Sequence, residues 1–237
     1  NSYSCSLSSS NLNSANLNDA DLAGANLSGV NLNRANLNDA DLAGANLSGV
    51  NLNRAILTDT NLSGAILDNA TLDEVMSGGI KGQPKSLPEN WSIYNGYLVG
   101  PKANLSSANL SGANLSGAKM SDALLSDALI SGANLNKAYL AGASFANANL
   151  TNANLSDATM TGANLSGANL TDATILKSGL LSNTWSNTTC PDGTKNLGTS
   201  PCSANQLIPK PAPTPEPEPA PTPEPAPTPA PAPTPDP

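Results

Sequence analysis

The chain has 237 residues, a formal net charge of −8, a sequence pI near 4.3 and no histidine. That acidity argues against binding to a phosphate backbone, and the lack of His removes the usual base of a nucleophilic triad and a common metal ligand. The composition is 38% hydrophobic but only 3% aromatic, and no apolar run is long enough to cross a membrane.

From Leu7 a large apolar residue returns every fifth position: Leu7, Leu12, Leu17, Leu22 and onward to Leu72. Two residues before each stands a small one (Ala15, Ala20, Ala25, Val30), and between them nearly always Asn or Asp. A period of five fits neither an α-helix nor an open strand. It fits a coil with three residues on each flat side and two at each corner, where the small residue and the Leu both point inward. Four such sides close one coil of 20 residues. Residues 16–35, NLNDADLAGANLSGVNLNRA, recur unchanged as 36–55, so the 20-residue coil is a unit that can be copied and stacked. The small inward residues and the scarcity of aromatics predict a lumen too narrow for rings. The Asn beside each Leu is expected to form amide ladders from coil to coil.

Stepping by 20 aligns the outer positions. Asp19, Asp39 and Asp59 form one corner column, Arg34, Arg54 and Glu74 another, and Gly24, Gly44 and Gly64 a third in which φ > 0 is expected. The Asp column reads as a solvated face more readily than as a cation site.

The segment 76–102, MSGGIKGQPKSLPENWSIYNGYLVGPK, resets the register, because Leu72 and Leu105 are not a multiple of five apart. It reads as a degenerate coil with a protruding loop near 78–89. A second block in a new frame runs from Leu105 through Met120, Phe145 and Met160 to Ile175, after which the repeat decays. The division is therefore 1–75, 76–102, 103–180, a Cys-bounded loop over 181–208, and a tail over 209–237.

Cys190 and Cys202 flank Pro-Asp-Gly and Gly-Thr-Ser-Pro turns, and a disulfide between them is expected, which implies an oxidising compartment. Cys5 holds an inward position that Ala takes elsewhere and reads as a small core residue. From Pro209 to Pro237 every odd residue is proline, which imposes polyproline II. At about 3.1 Å per residue that tail would reach some 90 Å, against about 40 Å for eight or nine coils. Thr214, Thr222, Thr228 and Thr234 are candidate O-glycan acceptors. Asn-x-Ser/Thr triplets follow automatically from the repeat, so Asn90 and Asn187, outside its regular part, are the better N-glycan candidates.

The ADLAG, ANLSG, ANLSS and ANLTD motifs resemble the pentapeptide-repeat family across residues 5–75 and 103–177. The resemblance implies an all-β fold, the right-handed quadrilateral β-helix. The LP-x-x-W…NGYL-x-GP segment is similar to one inside many secreted bacterial, especially cyanobacterial, members. Some members are acidic rods that mimic DNA and inhibit topoisomerases, which is one functional expectation. The residues themselves favour two others. The first is a non-enzymatic secreted rod that stacks head to tail into a surface or extracellular filament. The second is a wall-associated binding module, with glycans as partners and the tail as spacer. No catalytic pair, cofactor motif or metal-ligand spacing appears. A start at Asn1 agrees with a removed signal, so the expected location is extracellular or at the cell surface.

Overall fold

The computed structural model describes residues 7–175, 182–203 and 207. They form a four-sided β-helix in which each coil pairs in parallel with the next at a step of 20: Asn11 with Asn31, Asn16 with Asn36, Asp21 with Asp41 and Asn26 with Asn46, each continuing onward. Counting sides in chain order, Leu7, Leu27, Leu47 and Leu67 line the first, Leu12 to Leu72 the second, Leu17, Leu37 and Leu57 the third, and Leu22, Leu42 and Leu62 the fourth.

On each side the ladder is made by two backbone bonds, and the corner residue adds a third (Arg34 N to Asn53 O, 2.9 Å). The centre N–H donates to the carbonyl 19 residues on (Leu32 N to Asn51 O, 2.8 Å), and the residue before the centre donates back to the previous coil (Asn31 N to Ser10 O, 3.0 Å). A turn from the centre carbonyl to the N–H three residues later closes each corner, as in Leu32 O with Ala35 N at 3.0 Å. The third residue of that turn needs φ > 0, as type II requires. Gly24, Gly44 and Gly64 have φ of 66°, 66° and 67°, but Asp39, Arg54, Glu74 and Lys102 take the same region at 55°, 60°, 58° and 56°. The corner thus imposes the left-handed conformation on whatever residue arrives there, although it disfavours L-residues by on the order of 1–2 kcal/mol.

The lumen is dry and filled. From Ala25 onward the inward Ala, Val and Leu of the first block are almost all fully buried. Thr60 takes an inward small-residue position and satisfies its hydroxyl by donating to Leu37 O at 2.8 Å. Rings do enter this lumen: Phe145 and Trp185 occupy centre positions at 0% exposure. The rarity of aromatics therefore reflects repetition of Leu and not a steric bar.

The regular bridges include a few longer strands: β1 (Ile56–Thr58) pairs with β2 (Met76–Gly78), and β5 (Asn154–Leu155) with β6 (Thr174–Ile175), all parallel. The only antiparallel pairs among the described residues are β3 (Ser92–Tyr94) with β4 (Tyr97–Val99), and β7 (Thr188–Thr189) with β8 (Lys195–Asn196).

The junction differs from the expectation of a loop near 78–89. Lys81 and Ser86 still pair with Asn61 and Ile66, so the first stack keeps its register through that stretch. The excursion is the β3–β4 hairpin, whose turn residues Asn95 and Gly96 have φ of 48° and 76°. Two central residues with φ > 0 make the type I′ turn that matches strand twist, and Asn-Gly is its preferred pair. Within the degenerate coil expected over 76–102, residues 92–99 are therefore a hairpin. Its base feeds the core. Leu98 is fully buried and its N–H donates to Ser77 Oγ at 2.9 Å, at a third-side centre where Leu is missing. Gly100 falls at a second-side centre, and a Cβ there would overlap the indole of Trp91, which fills the space. Beyond the hairpin, Met76 pairs with Asn104, a step of 28 in place of 20, and the second stack then runs at 20.

The repeat also does not decay at Ile175. Asn164 pairs with Thr184 and Asn169 with Thr189, so the β-helix continues to Cys190, beyond the expected boundary at 180. Trp185 and Cys190 sit at centre positions and are fully buried. The five-residue pattern of Leu is lost there while the 20-residue step persists.

Gly100→Ala is expected to destabilise the protein by about 1–3 kcal/mol, the usual range for overpacking. Chemical unfolding followed by Trp fluorescence measures this, and an unchanged midpoint would show that the indole can move aside.

Candidate functional site

The Asn or Asp before each centre does more than build ladders. Its side-chain oxygen accepts the N–H two residues on, as Asn31 Oδ1 does from Asn33 N at 3.1 Å and Asn134 Oδ1 from Asn136 N at 3.1 Å. That local bond satisfies a corner donor and holds the turn. Ladder bonds join some of the same groups between coils: Asn31 Nδ2 to Asn11 Oδ1 at 3.1 Å, Asn134 Nδ2 to Asn114 Oδ1 at 3.2 Å, and Asn61 Nδ2 to Asp41 Oδ1 at 3.0 Å. Where a large side chain replaces Asn, an outward hydrophobe results. Met76, Leu124, Leu129 and Tyr139 are all exposed. Lys119 Nζ lies over the Tyr139 ring, 2.9 Å from its centroid. They are spread over three sides and make no single patch.

One corner column carries alternating charge. Arg54 grips Glu74 with two bonds, Nε to Oε2 at 2.8 Å and Nη2 to Oε1 at 3.0 Å, and Lys102 Nζ reaches Asp73 Oδ2 at 3.0 Å. The Arg54 hydrogen bond, and after it the Arg54, Arg34 and Lys102 charges, hold the Glu74 carboxyl below its ordinary range. The same partnership pushes Arg54 up, and the Asp73 hydrogen bond pushes Lys102 up. All of these groups are exposed, so they tune the surface and contribute little to stability. In the Asp column, Lys81 Nζ approaches Asp39 Oδ1 at 3.7 Å, and the Asp59 carboxylate folds over Gly79. Among the described residues no group of three or more His, Cys, Asp or Glu is placed to hold a metal ion.

The two ends of the rod are unlike. At the C-terminal end, Cys190 and Cys202 form the expected disulfide and are 0% and 5% exposed. The loop they close carries β8, which pairs with β7 of the last coil, and Leu207 is buried there too. Thr188 is sealed beneath, its hydroxyl donating to Leu165 O at 2.7 Å. At the other end, Leu7, Leu12, Leu17 and Leu22 are only half-buried, while Leu27, Leu32, Leu37 and Leu42, one coil inward, are fully covered. Among the described residues, Asn11, Asn16 and Asp21 pair only forward, with the next coil. This end is the place where the surface offers both apolar side chains and an unpaired sheet edge.

Asn90 and Asn187 are both exposed at corners with φ > 0, at 69° and 58°. Thr214, Thr222, Thr228 and Thr234, the polyproline tail and Cys5 lie outside the described residues.

Residues 4–39, 35–73, 103–140 and 133–175 match the family described as Pentapeptide repeats, in 8 copies. The chain belongs to the pentapeptide-repeat family. Its fold is that of the family, the right-handed quadrilateral β-helix, here interrupted by one hairpin and closed by one disulfide loop. Among solved structures, this pentapeptide-repeat chain is similar to HetL, involved in heterocyst differentiation regulation in the cyanobacterium Nostoc sp. Strain PCC 7120. The identity is 28%, over 81% of this chain and 92% of that one, with a TM-score of 0.28. It is also similar to a pentapeptide repeat protein of the Arabidopsis thaliana thylakoid lumen, with 18% identity over 73% of this chain and 70% of that one and a TM-score of 0.21. Full-length QnrB1, a plasmid-mediated fluoroquinolone resistance protein, is 15% identical over 76% of this chain and 91% of that one, with a TM-score of 0.27. No curated protein matches the chain.

Because the Glu74 carboxyl is held low, what its ion pair contributes is present above the ordinary Glu range and is lost as pH falls through the depressed folded value. A carboxyl NMR titration should find Glu74 titrating below an ordinary Glu, and Arg54→Gln should move it back up. At the far end, reducing the disulfide or making Cys202→Ser removes a constraint on a short loop, expected to lower stability by about 3 kcal/mol. Thermal unfolding with and without reductant reads that loss.

Proposed function

We propose that this chain is a non-enzymatic structural protein, a secreted rod that joins end to end with copies of itself. The observation that carries this reading is the first described coil, with half-buried Leu7, Leu12, Leu17 and Leu22 and, among the described residues, pairing on one side only. A solenoid end left in that state is a template for another chain. The Cys190–Cys202 disulfide supports an extracellular or cell-surface setting. Head-to-tail growth into a filament requires the far end to dock on this coil, and the covering disulfide loop would have to be displaced for that.

The alternative, a wall-associated binding module with glycans as partners, is favoured by one separate fact. The proline-rich segment follows the disulfide loop in the sequence, as suits a spacer. The DNA-mimicking topoisomerase inhibitor remains a third reading, supported only by the net charge of −8.

Sedimentation across a concentration series, with negative-stain imaging, decides the first reading. The protein should associate as concentration rises, and Leu12→Asp with Leu17→Asp should abolish association while the rest of the rod keeps its thermal transition. A protein that stays monomeric at every concentration ends the proposal.

A further inference from the structure

We propose that Met76 is a site of reversible oxidation, where a hydroperoxide converts the thioether to a sulfoxide. The new oxygen accepts a hydrogen bond from Asn104 Nδ2 and completes the outer ladder across the junction of the two stacks. The step balances without a further reactant. The sulfur lone pair takes one peroxide oxygen, the O–O bond breaks, and the other oxygen leaves as water. Thiol-dependent sulfoxide reductases return a sulfoxide to the thioether.

Two independent observations meet at this site. The first is access. Of the three methionines, Met120 and Met160 lie in the lumen at 0% and 1% exposure, while Met76 stands on the outside of β2 at 42%. Cys190 and Cys202 are buried and already joined. Thioether oxidation follows exposure, so Met76 is the first of the described sulfurs to react. The second observation is an amide left without a partner one coil on. Side-chain bonds between coils at the position before the centre run one way, the later residue donating and the earlier accepting. Asn31, Asn61, Thr71, Asn134 and Asn154 donate in this manner to Asn11, Asp41, Asn51, Asn114 and Asn134 at 3.0–3.3 Å. Asn104 is the later residue of the pair with Met76, and its Oδ1 already accepts Ser106 N at 3.2 Å. Its Nδ2 makes no hydrogen bond among the described residues. The earlier position holds a thioether, a weak acceptor, and the position after Asn104 holds Leu124. Paired strands lie about 4.8 Å apart, which brings an oxygen on Met76 Sδ within reach of Asn104. Oxidation thus supplies the acceptor that Asn or Asp supplies elsewhere in the ladders. It does so at the bridge where the step is 28 and the third side passes from one stack to the other.

The experiment treats the full chain, with Cys5→Ser and the disulfide kept, with dilute hydrogen peroxide. Peptide mass mapping locates the added oxygen, and thermal unfolding compares the oxidised and untreated protein. One oxygen is expected, on Met76, at a rate at least about tenfold above Met120 and Met160. The thermal midpoint is expected to rise by about 1–3 °C, as one added surface hydrogen bond gives in a chain of this size. Met76→Gln, which carries an acceptor oxygen at a similar reach, should reproduce the rise without peroxide. Asn104→Ala should remove the gain from both the oxidised protein and the Gln variant. Oxygen appearing first on Met120 or Met160 overturns the site. A midpoint that is unchanged or lowered once Met76 is oxidised overturns the bond to Asn104, and so does a rise that survives Asn104→Ala.

Discussion

Everything in this molecule depends on the 20-residue stacking ladder, and the ladder depends on a corner that turns through φ > 0. Each side is three residues long and, with its corner, makes only three backbone bonds to a neighbouring coil, which in isolation would not define a strand. Repetition supplies the stability. The turn conformation is over-determined from above and below, so Arg54, Glu74 and Lys102 are held at φ near 60° without the freedom glycine has. The local bond from Asn or Asp to the amide two residues on reduces that strain, which explains why Asn recurs before the centre even where no amide ladder forms. The same residue serves the corner first and the stack second.

The columns of Leu and Ala, the four sides and the positions of the Gly24, Gly44 and Gly64 corners were legible in the sequence because each side repeats the same problem. The junction was not, because there the lumen is filled by residues distant in the chain. Ser77 stands at a Leu position since Leu98 arrives from the hairpin and its N–H needs an acceptor. Gly100 stands at another since the Trp91 indole already occupies the space. Neither substitution has a meaning within a five-residue frame. Asn95-Gly96 was the signal that would have exposed the hairpin, and it was masked by the five-residue spacing of Ile93 and Leu98. At the C-terminal end the lost pattern was the pentapeptide and the kept one the coil: Trp185 lies 20 residues after Leu165, and Cys190 20 after Leu170. Of the candidate site residues, the disulfide followed from the spacing of Cys190 and Cys202 around two turns. The contrast between the two ends did not, because burial of a whole coil is a property of what lies on top of it.

The hairpin also divides the rod. Among the described residues, the step from first to second stack is bridged at Met76 with Asn104 and at the corner by Glu74 N with Lys102 O, 2.9 Å. Leu98 packs with the N-terminal core and its neighbour Val99 with the C-terminal one, while Trp91 touches both. Continuity of the ladder on the third side keeps the stacks in line, and the hairpin supplies the apolar contact that the other sides lack. The eight extra residues of the step of 28 are thus a splice between two regular solenoids, and the Lys102–Asp73 ion pair spans it from outside.

The asymmetry of the ends is what connects this architecture to function. A repeat that tolerates an exact 20-residue copy places no demand on any one outward position, and the outward hydrophobes Met76, Leu124, Leu129 and Tyr139 are scattered accordingly. Among the described residues the sides therefore offer repetition without convergence. Specificity has to come from features that occur once. There are two such features at the ends: a coil with its leucines half-covered, and a last coil sealed by a disulfide loop. At the C-terminal end the covalent lock sits where non-covalent fraying would otherwise expose Trp185.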